Sequence, residues 1–191
     1  MHRLIAAMAG VLLFTAGTTA LADEPVRVCY NYGCRTEATV VFAQDRLLQF
    51  AGLLEMAQNE ATERELIGIV IGRMHAVAGG QSPIWADRGG DLEDDDVEGR
   101  MDCLDHSVTT SNFLALLERR GLLRFHQVRP PLQRGLFWQH WSARIVEKAS
   151  QQEYLVDSWF YDNGRPAVVM ERKTWVAGAD PRRRRWAFNG R

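Results

Sequence analysis

The stretch Asp102-Cys103-Leu104-Asp105-His106-Ser107-Val108, continuing through Phe113-Leu114-Ala115-Leu116-Leu117 to Gly121, sets the fold class and places the chemistry. Its spacing predicts a helix over 102–120. Leu104, Val108, Phe113, Leu114, Leu116 and Leu117 supply the apolar positions, and Gly121 is placed to cap the C-terminus. Residues 113–117 are apolar almost all round, which makes this a central helix. With Asp102 as N-cap, Cys103 takes the first helical position, where unsatisfied N–H groups and the positive end of the dipole favour a thiolate.

Upstream, Leu47, Leu48, Ala51, Leu54 and Ala57 predict an amphipathic helix over 43–57. Leu66, Ile67, Val70, Ile71, Met74 and Val77 predict another over 60–78, ended by Gly79-Gly80. A loop follows over 81–99, carrying the acidic run Asp91-Leu92-Glu93-Asp94-Asp95-Asp96. That run invites a calcium site but lacks the central Gly and terminal Glu of an EF-hand loop, so it reads as a solvated acidic loop. Downstream of Gly121 the texture changes to strands over 122–128, 136–147, 153–159 and 167–170, with turns at Pro130-Pro131, Ser150-Gln151-Gln152 and Asp162-Asn163-Gly164. Helices segregated from a run of strands predict an α+β fold with a mainly antiparallel sheet. The cluster Arg182–Arg185 reads as a solvated basic tail.

Composition agrees with one globular domain: 191 residues, 46% hydrophobic, 25% charged, net charge −1. So small a net charge gives no argument for nucleic acid or an anionic membrane as partner. Met1 to Arg3, the apolar run Leu4–Phe14 and Ala20-Leu21-Ala22 together predict a signal peptide over 1–22, cleaved before Asp23. The apolar run falls well short of the roughly 20 residues of a spanning helix. The reading is therefore an exported domain over 23–191, periplasmic or extracellular, without stable membrane insertion after cleavage. An oxidising compartment lets nearby thiols pair. Cys29 and Cys34 flank Tyr30-Asn31-Tyr32-Gly33, whose Asn and Gly can supply a turn, and a small disulfide loop is expected, with two separate thiols as the alternative. Cys103 is left as the odd thiol.

Three residues carry the expected chemistry: Cys103 on the helix start, His140 in Phe137-Trp138-Gln139-His140-Trp141, and Asp157 in Leu155-Val156-Asp157-Ser158-Trp159. A histidine on a neighbouring strand can take the thiol proton, and a carboxylate on the next strand can orient the imidazole. His106, one turn along the helix, and His126 are rival bases. Asp105 would oppose a thiolate if it faced the sulfur. No spacing among Cys103, His106, His126, Asp102 and Asp105 is diagnostic of zinc, and no cofactor is implied. Gln81 and Trp85 are the candidates for an oxyanion-hole side chain.

The order Cys, His, Asp, with Gly99-Arg100-Met101-Asp102-Cys103 entering a helix, His140-Trp141 on a strand and Val156-Asp157-Ser158-Trp159-Phe160 on the next, resembles the transglutaminase-like branch of papain-fold cysteine enzymes. The resemblance covers about 100–160. It implies Cys103 as nucleophile, His140 as base and Asp157 as orienting acid, on a papain-like core. Two functions follow as expectations. One is a thiol-dependent amide hydrolase or acyltransferase acting on a peptide or protein amide, a cell-wall peptide included. The other is a non-catalytic binding or scaffold domain that keeps the triad as a buried network and offers Phe137, Trp138, Trp141, Trp159, Phe160 and Tyr161 as a contact surface.

Overall fold

A computed structural model describes residues 22–90 and 93–182, so the expected signal segment lies outside the described residues except for Ala22. The central helix, α3 (Cys103–Arg119) in a chain whose earlier helices are α1 (Gln44–Glu55) and α2 (Glu60–Gly79), begins as its sequence requires. Asp102 is the N-cap, its Oδ1 accepting from Asp105 N at 2.8 Å while Asp105 Oδ2 accepts from Asp102 N at 3.2 Å, a reciprocal capping box. At the other end Gly121 adopts a φ of +70°, and Leu122 N donates to Leu117 O at 2.9 Å, the six-residue closure of a Schellman motif. Leu114, Leu116, Leu117 and Phe113 are fully buried, meeting Ile67, Val70, Ile71 and Met74 of α2 in one core.

The described residues open with strands ahead of the helices. Glu24–Tyr30 (β1) and Thr36–Phe42 (β2) form an antiparallel hairpin in continuous register, with Val26, Val28, Val40 and Phe42 buried. Its turn is closed by the expected Cys29–Cys34 disulfide. Asn31, Tyr32, Gly33 and Cys34 all lie in the left-handed region, with φ of 65°, 60°, 69° and 52°. Consecutive left-handed residues turn their N–H groups to one side, forming an anion-binding nest. Here the anions are the two carboxylates of the first turn of α3. Tyr32 N and Cys34 N donate to Asp105 at 2.8 and 2.5 Å, and Gly33 N donates to Asp102 Oδ2 at 3.0 Å. Asp105 therefore faces the disulfide loop and holds the hairpin on the N-terminus of α3.

Burial is the chief influence on the Asp105 carboxyl and, with the Asp102 charge beside it, raises it to about 6 against the opposing pull of its three N–H donors. A carboxyl raised on folding stabilises least when ionised. Its contribution is largest below the ordinary value of 3.8 and declines as pH rises through 6. Even so, Asp105→Ala leaves the Tyr32, Cys34 and Asp102 N–H groups without acceptors, and urea unfolding at pH 7 is expected to show a loss of about 2–4 kcal/mol.

After α3 comes a four-stranded antiparallel meander, in the order β3 (His126–Arg134), β4 (His140–Glu147), β5 (Glu153–Asp157) and β6 (Val168–Glu171), followed by the short α4 (Arg172–Val176). The α+β class stands. Two strand boundaries differ from expectation. Pro130 and Pro131 lie inside β3, at the register shift between Arg129 and Leu132, because an edge strand tolerates missing donors where pairing is already irregular. The apolar Leu136-Phe137-Trp138 is the turn between β3 and β4, where Arg134 pairs with His140. Helix α3 packs across β4 and β5 on one side and against β1 on the other, where Cys29 N donates to Thr109 Oγ1 at 2.9 Å.

Candidate functional site

Three elements converge on one point. Cys103 heads α3, His140 heads β4, and Asp157 ends β5. His140 Nε2 lies 2.7 Å from Asp157 Oδ2. The Cys103 side chain is close enough to act on the His140 imidazole and its charge. Cys103 is the free cysteine of the described chain, half-buried, with Sγ 3.7 Å from the carbonyl oxygen of Gln139. The Asp157 carboxylate is held on every side: Trp175 Nε1 donates to Oδ2 at 2.7 Å, and Trp159 N donates to Oδ1 at 3.2 Å. The His140 ring sits among Trp159, Phe160 and Trp175, at centroid distances of 4.9, 5.8 and 5.5 Å. Packing and hydrogen bonding thus fix its rotamer.

Burial by itself would lower the His140 imidazole. The hydrogen bonds to Asp157 and Cys103, and the negative charge they bring, outweigh it and lift His140 to about 9. The ring is an imidazolium over the neutral range, placed between a carboxylate and a sulfur. Arg134 adds a second positive charge. Its half-buried guanidinium lies over the Trp175 ring at 4.5 Å and hydrogen-bonds the Trp175 carbonyl, and burial lowers it while the charges of Asp157, Asp180 and Cys103 pull it up.

Neither rival histidine reaches the thiol. His106 is buried beneath the site, Nδ1 2.9 Å from Ser158 Oγ and Nε2 3.0 Å from Asp87 Oδ2. The chain of contacts continues through Thr110 Oγ1, 2.8 Å from Ser158 Oγ, to His75 Nε2 at 3.1 Å. Burial opposes charge on His106, but the Asp87 carboxylate beside it raises the imidazole above its ordinary value, and Asp157 and Asp105 add to the effect. Burial and the positive charge of His106 push His75 down to about 3. The charged form is favoured on His106 and disfavoured on its neighbour His75, 5.6 Å away between centroids. His126 Nδ1 is bound to the buried Glu63 at 2.7 Å, and Glu63 also receives the Arg124 and Phe125 N–H groups, locking α2 to the entry of β3.

The remaining candidates sort as follows. Gln81 is committed to the backbone of Val41 through both Oε1 (2.8 Å) and Nε2 (2.9 Å), so it serves as a clamp on β2. Trp85 is 69% exposed on the 3-10 turn Pro83–Ala86 and lines a cavity with Gln81, Pro83 and Glu98 that contains no triad residue. The backbone N–H of Cys103, at the first position of α3, lies ahead of the helical hydrogen-bond ladder. Cys29, Cys34 and Asp105 bring potential metal ligands within 4.8 Å of one another, but the two sulfurs are bonded to each other. In the acidic run Asp94 accepts from the Tyr32 hydroxyl at 2.6 Å and pairs with Arg100 at 2.8 Å, while Asp91 and Leu92 lie outside the described residues. Arg182 is packed over Trp159 at 5.3 Å and paired with Asp180, so it is not a free tail; Arg183–Arg185 lie outside the described residues.

Trp175 and Arg134 were not marked by the sequence. Trp175 belongs to α4, outside the elements expected to carry the chemistry, and no periodicity signals a lone tryptophan as a hydrogen-bond donor. Among the described residues no helix is long and apolar enough to cross a membrane. No family model, curated protein or solved structure matches the chain.

Proposed function

We propose that the chain is an exported thiol-dependent amide hydrolase or acyltransferase of the transglutaminase-like, papain-fold kind, with Cys103 as nucleophile, His140 as acid and base, and Asp157 as orienting acid. One observation carries this reading: the doubly anchored Asp157 carboxylate holds the His140 ring at 2.7 Å, and the Cys103 sulfur lies 3.7 Å from the carbonyl of Gln139, the residue just before it. In the reaction Sγ attacks the carbonyl carbon of a peptide or protein amide, and the oxyanion accepts the Cys103 N–H. As the C–N bond breaks, His140 gives its proton to the leaving amine. Water or an acceptor amine then attacks the thioester, His140 takes the incoming proton, and the Sγ–C bond breaks to release the thiolate, restoring the starting pair. Asp157 holds the ring through its hydrogen bond to Nε2. The disulfide supports an oxidising compartment, as export requires.

The test is iodoacetamide alkylation of Cys103 against pH, read by mass spectrometry. A sulfur paired with an imidazolium is expected to react nearly as fast at pH 6 as at pH 8. A rate that climbs about tenfold per unit towards 8.5, or no labelling before unfolding, would mean a binding domain with an inert thiol.

The pH profile has a second expected limb. With His140 near 9 in the folded protein, the proton donor for the leaving amine is present below that value and lost as pH rises through it. Turnover of an amide substrate should therefore fall above pH 9. Asp157→Asn removes the charge that raises the imidazole, so the limb should move to lower pH and the rate should fall about 10–100-fold, less than on deleting the base.

A further inference from the structure

Arg134 stands on the same face of the sheet as His140. The two are directly opposed in the β3–β4 ladder, and opposed residues of an antiparallel pair project their side chains to one side. The Arg134 guanidinium lies 4.5 Å over the Trp175 ring and donates to the Trp175 carbonyl. Trp175 in turn holds Asp157 through Nε1 at 2.7 Å and keeps its ring 5.5 Å from that of His140. The residue that anchors the triad carboxylate therefore also fixes a guanidinium in the wall of the site.

What this guanidinium lacks is an anion. The other half-buried arginines of the described residues, Arg64, Arg100, Arg120, Arg144 and Arg182, each meet a carboxylate at 3.2 Å or closer. Both contacts of Arg134 are to neutral groups, an indole face and a peptide carbonyl, and the hydrogen bond uses one of the five N–H donors of a guanidinium. Burial outweighs the nearby charges of Asp157, Asp180 and Cys103 and leaves Arg134 below its ordinary range. A cation that has given up part of its water without gaining a counter-charge can take an anion at little further cost in desolvation. Its planar fork matches a carboxylate, which it can bind through two parallel hydrogen bonds.

We infer that Arg134 makes this a site for acidic substrates, its guanidinium binding a carboxylate carried close to the scissile amide. The identity of the substrate as an amide rests on the catalytic reading; the charge preference rests on Arg134. On a peptide the group recognised is a carboxylate, and a neutral amide of the same shape leaves the guanidinium without its partner.

The test compares two alkylating reagents of opposite design, anionic iodoacetate and neutral iodoacetamide, at Cys103 and pH 7. The ratio of their rate constants cancels any change in the sulfur itself and reports the field that an incoming carboxylate meets. His140 contributes to that field, so the deciding quantity is the change in ratio when Arg134 alone is altered. Arg134→Met keeps an unbranched stem on the Trp175 ring and removes the charge; the iodoacetate-to-iodoacetamide ratio should fall about 3- to 10-fold, the effect of one charge several ångströms away in a partly screened site. Arg134→Lys keeps the charge and should hold the ratio within about twofold of the parent. Circular dichroism of both variants should match the parent. A ratio in folded Arg134→Met within about 1.5-fold of the parent's overturns the proposal. So does a parent ratio no higher than that of the same protein unfolded in urea, a measurement that needs no variant. The two readings fail separately. A flat iodoacetamide pH profile with an unchanged ratio in Arg134→Met removes the carboxylate site and keeps the activated thiol, whereas a profile that climbs towards 8.5 with a falling ratio keeps the carboxylate site and removes the enzyme around it.

Discussion

His140→Ala should slow alkylation of Cys103 at pH 7 by about 10- to 30-fold, the loss when a fully ionised thiolate reverts to an ordinary thiol with about 3% thiolate at that pH. The size follows from what the ring does. It is the cation and proton partner of the sulfur, raised to about 9 by hydrogen bonds to Asp157 and Cys103. The fold should survive the change. Asp157 keeps Trp175 Nε1 on Oδ2 and Trp159 N on Oδ1, so the buried carboxylate is not abandoned, and β4 retains its pairing with β3 and β5. Rates measured beside circular dichroism and thermal melting check both halves. An alkylation rate within threefold of the parent (roughly half a log unit, too small for loss of a general base) would remove His140 from the reaction and with it the triad.

His106→Ala should do the opposite: destabilise the protein by about 3–5 kcal/mol while leaving the reactivity of the folded Cys103 almost unchanged. His106 Nε2 lies 3.0 Å from Asp87 Oδ2, the Asp87 carboxylate favours its charged form, and both side chains are buried. Truncation leaves a carboxylate without its counter-charge and strips Ser158 Oγ of its ring contact at 2.9 Å. Asp87 also accepts from Met101 N at 2.9 Å, so the disturbance reaches the segment entering α3. Adding Asp87→Asn removes the orphaned charge, and the double variant should recover part of the loss; a double variant worse than the sum of the singles would rule out the buried ion pair. Urea unfolding at pH 6 is the sensitive measurement, because a histidine raised on folding contributes its full stability below its unfolded value of 6.5 and loses it as pH rises through its higher folded value.

The two histidines show why the site was legible in outline and not in depth. The sequence places His106 on α3 and His140 on a later strand, and prefers His140 because a base from a facing strand fits the thiol better than one a turn along the same helix. Spacing could say that His106 lies one turn from Cys103, but on a helix that already presents its first turn to the sheet, the residue three positions on points beneath the site, towards Asp87 and Ser158. Asp105 was ambiguous for the same reason. Whether it opposed the thiolate depended on which way its carboxylate faced, and the answer lies in the left-handed turn 31–34. Leu136-Phe137-Trp138 misled in the other direction, since an apolar run reads as a buried strand, and only the pairing of Arg134 with His140 reveals a turn.

Local information sufficed for what depends on neighbours in the chain. The cap at Asp102, the thiol at the first helical position, the Gly121 closure, the helix periods of α1 and α2 and the five-residue spacing of Cys29 and Cys34 are set by φ/ψ preference, dipole and hydrophobic period, and all were readable from residue order. Tertiary structure alone decided the hairpin as the brace of α3, the partners that occupy His106 and His126, and the recruitment of Trp175 and Arg134. Those assignments depend on the direction in which a side chain meets groups tens of residues away. Direction across a packed interface is a property of the whole arrangement of α3, the meander and the N-terminal hairpin, and residue order does not contain it.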